Sequence, residues 1–362
     1  MKPRTHPYQS LPDSAFWRQS VAETQASDVD PVVATPFTLS RDDRVAAAGS
    51  CFAQHIGRYL SNAGLRYLVT EEAHPLADPA TAHEFGYGVY TARFGNLYTA
   101  RQLRQLLTRA YGTFRPRDDV WREADGTFVD PFRPRIQPKG FPTLAEYEAD
   151  RAQHFACVRR AFEELDVLVF TLGLTECWVS REDGAAYPLC PGVAGGAFDP
   201  ERHAFHNFTV DEIVADLTEF VADLRRVNPR ARLILTVSPV PLIATASERH
   251  VLAATTYSKS VLRVAAETVS RTVEGTAYFP AYEIVSGNYT RGRYFASDLR
   301  SVTEDGVQHV MSVFLRHYAG IDIRRPSAPE KPARGGDRTL EEMERLVEVQ
   351  CEEEALGSNG RS

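Results

Sequence analysis

Nowhere in these 362 residues do eighteen apolar residues stand together, which excludes a membrane-spanning helix of ordinary length. Basic charge is not in excess. The formal net charge is -7, so no basic face is implied and a nucleic-acid partner is not expected. Cysteine is scarce: five residues, odd in number and irregularly spaced, give neither a disulfide framework nor a CxxC metal pair. The N-terminus, MKPRTHPYQSLPDS, has no apolar run and no cleavage-site pattern, so no secretory leader is expected and the simplest compartment is a reducing cytoplasm. No GxGxxG or P-loop occurs, and no His/Asp/Glu cluster has metal-ligand spacing; neither cofactor nor metal is expected. There is no internal repeat.

Apolar content of 43% and charged content of 25% are globular values, enough for a sizeable core. Short apolar runs alternate with helical patterns. Strands are expected at Val45–Ala48, Leu65–Thr70, Asp166–Leu172, Leu233–Val237 and Ala277–Val285. Helices are expected over Phe52–Leu60, Thr99–Tyr111, Leu144–Leu165, Val210–Val227, His250–Val273 and from Thr303 through Tyr318. A hairpin is expected around Asp125-Gly126, and Trp178 to Phe208 reads as a Gly- and Pro-rich insertion. The order predicts an α/β fold, a doubly wound parallel sheet flanked by helices in a three-layer sandwich. Residues 1–43 read as an arm packed on the surface and 44–320 as the domain. Residues 321–362 read as a linker and acidic tail, the composition shifting at Arg325.

The chain is organised around RVAAAGSCFAQHIGRYLSNAG, residues 44–64. An apolar run ends at Gly49, Ser50 and Cys51 follow, and a helix begins. This is a strand, a tight turn and a helix with two potential nucleophiles in the turn, the strand being expected near the middle of the sheet. A helix N-terminus stabilises negative charge and makes a thiol more acidic. The plainer alternative is a buried turn with Ser50 as a cap and Cys51 as a small core residue. In doubly wound sheets ligands bind beyond the carboxyl ends of the strands. The polar groups expected there are Ser50 and Cys51, Thr175 and Glu176, Ser238, and the loop around Asp298, with Gly95-Asn96 in reach.

The segments GSCFA (49–53), FGNLYTARQL (94–103), FTLGLTECW (170–178), LTVSPVPLIAT (235–245), HVLAATTYSKSVLR (250–263) and YFPAYEI (278–284) resemble the GSCFA domain family. That family is related to the SGNH (GDSL-like) hydrolases, parallel-sheet enzymes in which a Gly-Asp-Ser block supplies the nucleophile. Two later loops supply an oxyanion Gly and Asn, and a DxxH block supplies the base. The resemblance implies that Gly49-Ser50-Cys51 falls on Gly-Asp-Ser, with Cys51 on the nucleophile position; a slip of one residue puts Ser50 there. It implies Gly95 as the second-block glycine and Thr175 in the oxyanion Asn position. Asp298-Leu299-Arg300-Ser301 departs from the pattern, with Ser where DxxH has His.

The departure bears on mechanism, because a serine without a base is a weak nucleophile whereas a thiol depends on one less. His250, heading a helix beyond Ser238-Pro239, is a substitute base or a helix cap bonded to backbone. Glu176 would orient a base or bond to backbone amides, and His206 would line a substrate cleft. His309 and Cys177 read as packed residues. Lys259 and Arg263, one turn apart, would bind an anionic group or form a solvated face.

The resemblance implies an acyl-ester hydrolase or acyltransferase working through an acyl-enzyme on Cys51 or Ser50. Gly49, Gly95, Asn96 and Thr175 would stand around the oxyanion, and the partner would be a small or acylated substrate. The alternative is a catalytically silent relative binding a small acyl or carbohydrate ligand.

Overall fold

The structure, a computed structural model, describes residues 6–322 and Leu356. After the arm, β1 (Val45–Gly49) runs into a 3₁₀ turn (Cys51–Ala53) and α1 (Gln54–Asn62). Next come α2 (Pro79–Glu84), α3 (Ala100–Ala110), and the hairpin of β2 (Trp121–Arg122) and β3 (Phe128–Val129). The long α4 (Leu144–Glu164) leads into β4 (Val167–Leu172). The expected insertion is itself a small antiparallel sheet of β5 (Glu176–Ser180), β6 (Ala186–Tyr187) and β7 (His203–Asn207), ordered β6-β5-β7. The chain closes with α5 (Val210–Val227), β8 (Arg232–Val237), α6 (Val251–Thr272), β9 (Thr276–Phe279), α7 (Ala281–Ser286) and α8 (Glu304–Phe314). Threonines cap many of these helices: Thr99, Thr143, Thr209 and Thr303 each accept a first-turn backbone N–H, a bond worth about 1 kcal/mol.

The main sheet is parallel, in the order β1-β4-β8-β9. Alternate residues feed two cores. Ala46, Ala48, Leu168, Phe170, Leu233 and Leu235 pack with residues of α3, α4, α5 and α6. Val45, Ala47, Val167, Val169, Ile234 and Ala277 pack on the other face with α1, α7 and α8. Burial on both faces is why these strands read as continuous apolar runs. The doubly wound three-layer architecture follows.

Two expected strands are corrected. Leu65–Thr70 contributes a single parallel bridge, Val45 to Tyr67. Past Leu68, whose N–H bonds Val45 O, the chain turns away and Thr70 N pairs with Thr91 O instead. Ala277–Val285 stops being a strand at Phe279: Pro280 follows, and Ala281 starts α7.

β1 is therefore the outermost full strand rather than a central one. Its five residues are nevertheless all buried. Its outer edge is bonded by the bridge at Tyr67, by Thr91 Oγ1 accepting from Ala47 N at 3.0 Å, and by Leu97 N donating to Gly49 O at 2.8 Å. Counting the bridge as a remnant strand, the chain order across the sheet is second, first, third, fourth, fifth. That order reverses direction between β1 and β4, where ligands bind in doubly wound sheets.

The arm packs along α8 and the turn that follows it, Leu315–Ala319. Leu39 N donates to Tyr318 O at 2.6 Å, Asp30 pairs with His317 and Arg316, and Val29 O meets His309 Nε2 at 3.0 Å. The expected linker and tail from 323 on lie outside the described residues, apart from Leu356.

Candidate functional site

Gly49 ends β1 with φ +137°, and a Cβ there would stand 2.3 Å from Thr171 O. Only glycine lets the backbone pass β4 this closely while turning. Ser50 N then donates to Thr171 O at 3.1 Å, and Ala53 N closes the turn on Ser50 O. Ser50 and Cys51 are both buried. A Cβ on Gly173 would stand 2.9 Å from Ser50 Cβ, so Ser50 faces the end of β4, and its hydroxyl has no hydrogen-bond partner among the described residues. Cys51 heads the helical turn.

Two loops close on this turn. In the first, Leu97 N holds Gly49 O, and Gly173 N and Leu174 N both donate to Tyr98 O. Within that loop the Tyr90 hydroxyl donates to Asn96 Oδ1, accepts from Gln54 Nε2 at 3.1 Å, and lies 3.5 Å from Ser50 O. Tyr90 and Gln54 escaped the sequence reading; the signal available was Gln54 in the first turn of the helix. The second loop, Gly173–Thr175, carries another orphaned hydroxyl, the buried Thr175 Oγ1. Thr175 N is bonded to Ser258 Oγ at 3.0 Å and Gly173 O to Lys259 Nζ at 2.7 Å. Lys259 is buried, not on a solvated face, while Arg263 pairs with Glu283 and Glu267.

Glu176 is half-buried and accepts from Thr245 Oγ1 at 2.6 Å. Burial raises its carboxyl above the usual range, against the opposing hydrogen bonds from Thr245 and Ala246 N. His250 is exposed at the head of α6, its Nδ1 accepting from Leu252 N at 3.2 Å. Asp298 accepts from Arg300 N, Ser301 N and Ser301 Oγ, the last at 2.6 Å. Its carboxyl is held below the ordinary value, chiefly by the Ser301 hydroxyl. Arg300 Nε reaches Pro241 O, which ties this loop to the one after β8.

His206 is bonded to Glu212 Oε1 at 2.8 Å, at the N-terminus of α5, and does not line the cleft described next. His309, bonded by Tyr294 and Val29 O, and Cys177, its thiol pushed up to about 12 by burial, are packed residues.

A cleft of about 1060 Å³ opens beside the turn. Tyr90, Gly95 and Asn96 line one part, the β2–β3 hairpin brings Glu123 and Asp125, and the loop 134–140 brings Arg135 and Lys139. Val89, Val129, Ile136 and Val193 give it an apolar part. Ser50 and Cys51 do not line it; Ser50 O meets it through the Tyr90 hydroxyl, which bonds Asn96. Among the described residues no group of three His, Cys, Asp or Glu could hold a metal, and no helix is long and apolar enough to cross a membrane.

Sheet order, switch point and converging loops make this a doubly wound α/β protein with a pocket beyond the carboxyl edge of its sheet. The chain belongs to the GSCFA family, whose model matches residues 44–314. No curated protein matches it. Among solved structures it is similar to the Clostridium thermocellum family 3 carbohydrate esterase, with 10% identity, TM-score 0.34, and coverage of 76% of this chain and 94% of that one. It is also similar to a carbohydrate esterase family 3 protein from Talaromyces cellulolyticus, with 11% identity, TM-score 0.31, and coverage of 75% and 94%.

Proposed function

We propose that the protein is an acyl-ester hydrolase or acyltransferase that forms an acyl-enzyme on Cys51. The observation that carries this reading is the Gly49-Ser50-Cys51 turn at the switch point, with a potential nucleophile heading a helical turn and two loops closing on it. Because β1 is the outermost full strand, the reading leans on the switch point beside it and not on a central strand position. Cys51 is preferred to Ser50 because Ser50 is packed against Gly173 between two strand ends.

The Cys51 thiolate attacks the ester carbonyl. The tetrahedral oxyanion is met by donors from the Gly49–Cys51 turn, from Gly95 or Asn96, and from the Thr175 hydroxyl. Collapse expels the alcohol and leaves a thioester, which water or a second hydroxyl then resolves. The thiol proton passes to Glu176 or His250 and on to the leaving alkoxide, and Asp298 steadies the loop beside them. Glu176 is preferred by chemistry, because burial raises its carboxyl above the usual range and makes it a stronger base. A cleft whose wall mixes charged and amide side chains with smaller apolar ones (Val89, Val129, Ile136, Val193) suits a short acyl group on a hydrophilic alcohol.

The test is turnover of a panel of short-chain acyl esters. Cys51→Ala should abolish turnover, whereas Ser50→Ala should retain part of it; the reverse ranking moves the nucleophile to Ser50. Two observations favour the alternative, a silent binding module: the Ser at 301, and an Asp298 carboxylate bound up in its own turn. A wild type that processes none of the panel, with an unreactive Cys51, would support that module.

A further inference from the structure

The loop 134–140 walls part of the cleft and is held at both ends and in the middle. Arg133, just before it, is locked by Asp130 at 2.8 Å and Asp150 at 2.7 Å. Ile136 is buried, and its carbonyl accepts from Arg93 Nη2 at 3.2 Å. Phe141, just after the loop, exchanges two backbone hydrogen bonds with Phe128. Outward side chains therefore stand on a fixed base. Two of them are cations, Arg135 and Lys139, both exposed and both lining the cleft. Among the described residues neither makes a hydrogen bond or an ion pair.

Carboxylates are not lacking. Glu84, Glu123 and Asp125 line the same cleft, yet none is close enough to either cation to pair with it. Surface arginines around the cleft do find acids: Arg117 pairs with Glu182 at 2.9 Å, Arg151 with Asp119, and Arg202 with Asp118. Asp125 accepts from Thr127 N and Oγ1, and Glu123 from Gly196 N at 2.7 Å, so both serve the hairpin and the loop beside it. Glu84 ends α2. The acids repel an anion from their own walls and leave the loop 134–140 as the place for it. Charge left unpaired in a concave wall raises the local concentration of oppositely charged ligand. A guanidinium matches the paired oxygens of a phosphate or carboxylate, and an ammonium adds a compact charge. We propose that Arg135 and Lys139 form an anion-binding subsite for a phosphate or carboxylate on the alcohol part of the substrate, so that the preferred ester is one of a negatively charged hydrophilic alcohol. That the group belongs to an ester's alcohol rests on the acyl-enzyme reading; that the subsite binds an anion does not.

The experiment is isothermal titration of the full chain with glucose, glucuronate and glucose 6-phosphate, which present one hydrophilic scaffold without charge, with a carboxylate and with a phosphate. At least one of the anionic probes should bind about tenfold or more tightly than glucose, and the better of the two tells carboxylate from phosphate. Arg135→Gln and Lys139→Gln should each weaken that binding by roughly three- to tenfold, and the double variant should bring it to the level of glucose. Arg117→Gln, which removes a charge outside the cleft, should leave the preference intact and so separates a local subsite from the field of the whole surface. Anionic probes that bind no tighter than glucose overturn the proposal, and so does a double variant that retains the preference. The ester reading is judged on turnover. An anion preference that depends on Arg135 and Lys139, in a protein that turns over no ester, would uphold the subsite and sink the acyl-enzyme. Turnover of short-chain esters without any anion preference would do the reverse.

Discussion

At the scale of single residues, the geometry of the site depends on two glycines. Gly49 has a φ that other residues rarely adopt, and a methyl there would overlap the Thr171 carbonyl. Gly49→Ala should therefore lose several kcal/mol of stability, seen as a large drop in thermal midpoint or as failure to fold. Gly173 differs. An added methyl would press on Ser50 Cβ at 2.9 Å and on Tyr98 O at 3.2 Å, so Gly173→Ala should shift the nucleophile turn. The expected result is a loss of turnover of at least about tenfold with a stability loss of roughly 1–3 kcal/mol. Unchanged turnover in a folded Gly173→Ala would show that the two turns are not coupled.

At the scale of elements, the cleft walls are tied together by buried charge. Arg93 bonds Asp150 at 2.9 Å and donates to Phe85 O, after α2, and to Ile136 O, in the loop 134–140. Arg133 bridges Asp130 at 2.8 Å and Asp150 at 2.7 Å, and Glu71 is bonded by His154 and by Arg93 N. Burial alone would raise the Glu71 carboxyl. The His154 bond and charge, with Arg133 and Arg93 N, outweigh it and bring the carboxyl down to about 2 from 4.5. A folded-state value below the unfolded one stabilises the protein above about 4.5, and the stabilisation is lost as pH falls toward 2. The urea midpoint should accordingly fall on acidification below about 4.5, and Glu71→Gln should flatten that slope. A variant with the wild-type slope would remove Glu71 from the account.

At the scale of the whole molecule, the arm belongs to the packing of α8. Val29 and Leu39 are buried, and removing residues 1–40 would take both away, uncover the surface they cover, and leave the Asp30 partners His317 and Arg316 unpaired with it. With about 1.5–3 kcal/mol for each buried aliphatic side chain, the truncated chain should melt several degrees lower. A truncated chain with an unchanged midpoint would mean that the arm only rests on the surface.

The sequence by itself determined the layers and their order. Runs such as Val167–Leu172 are apolar at every position because both sheet faces are covered, and threonines mark where many helices start. It also determined the turn, since Gly-Ser-Cys between an apolar run and a helical pattern allows little else. Only the tertiary structure decided which loops close on that turn. Tyr90 reaches the turn through Ser50 O and Gln54, and Ser258 and Lys259 hold the Gly173–Thr175 loop beside it, Lys259 across 86 residues. No local periodicity encodes such contacts, and Lys259, read from its helical spacing as an anion ligand or part of a solvated face, is buried. The edge position of β1 was equally beyond the sequence. Whether the run after Leu65 pairs fully with β1 depends on Thr91, which competes for its backbone, and that competition exists only once the chain has folded.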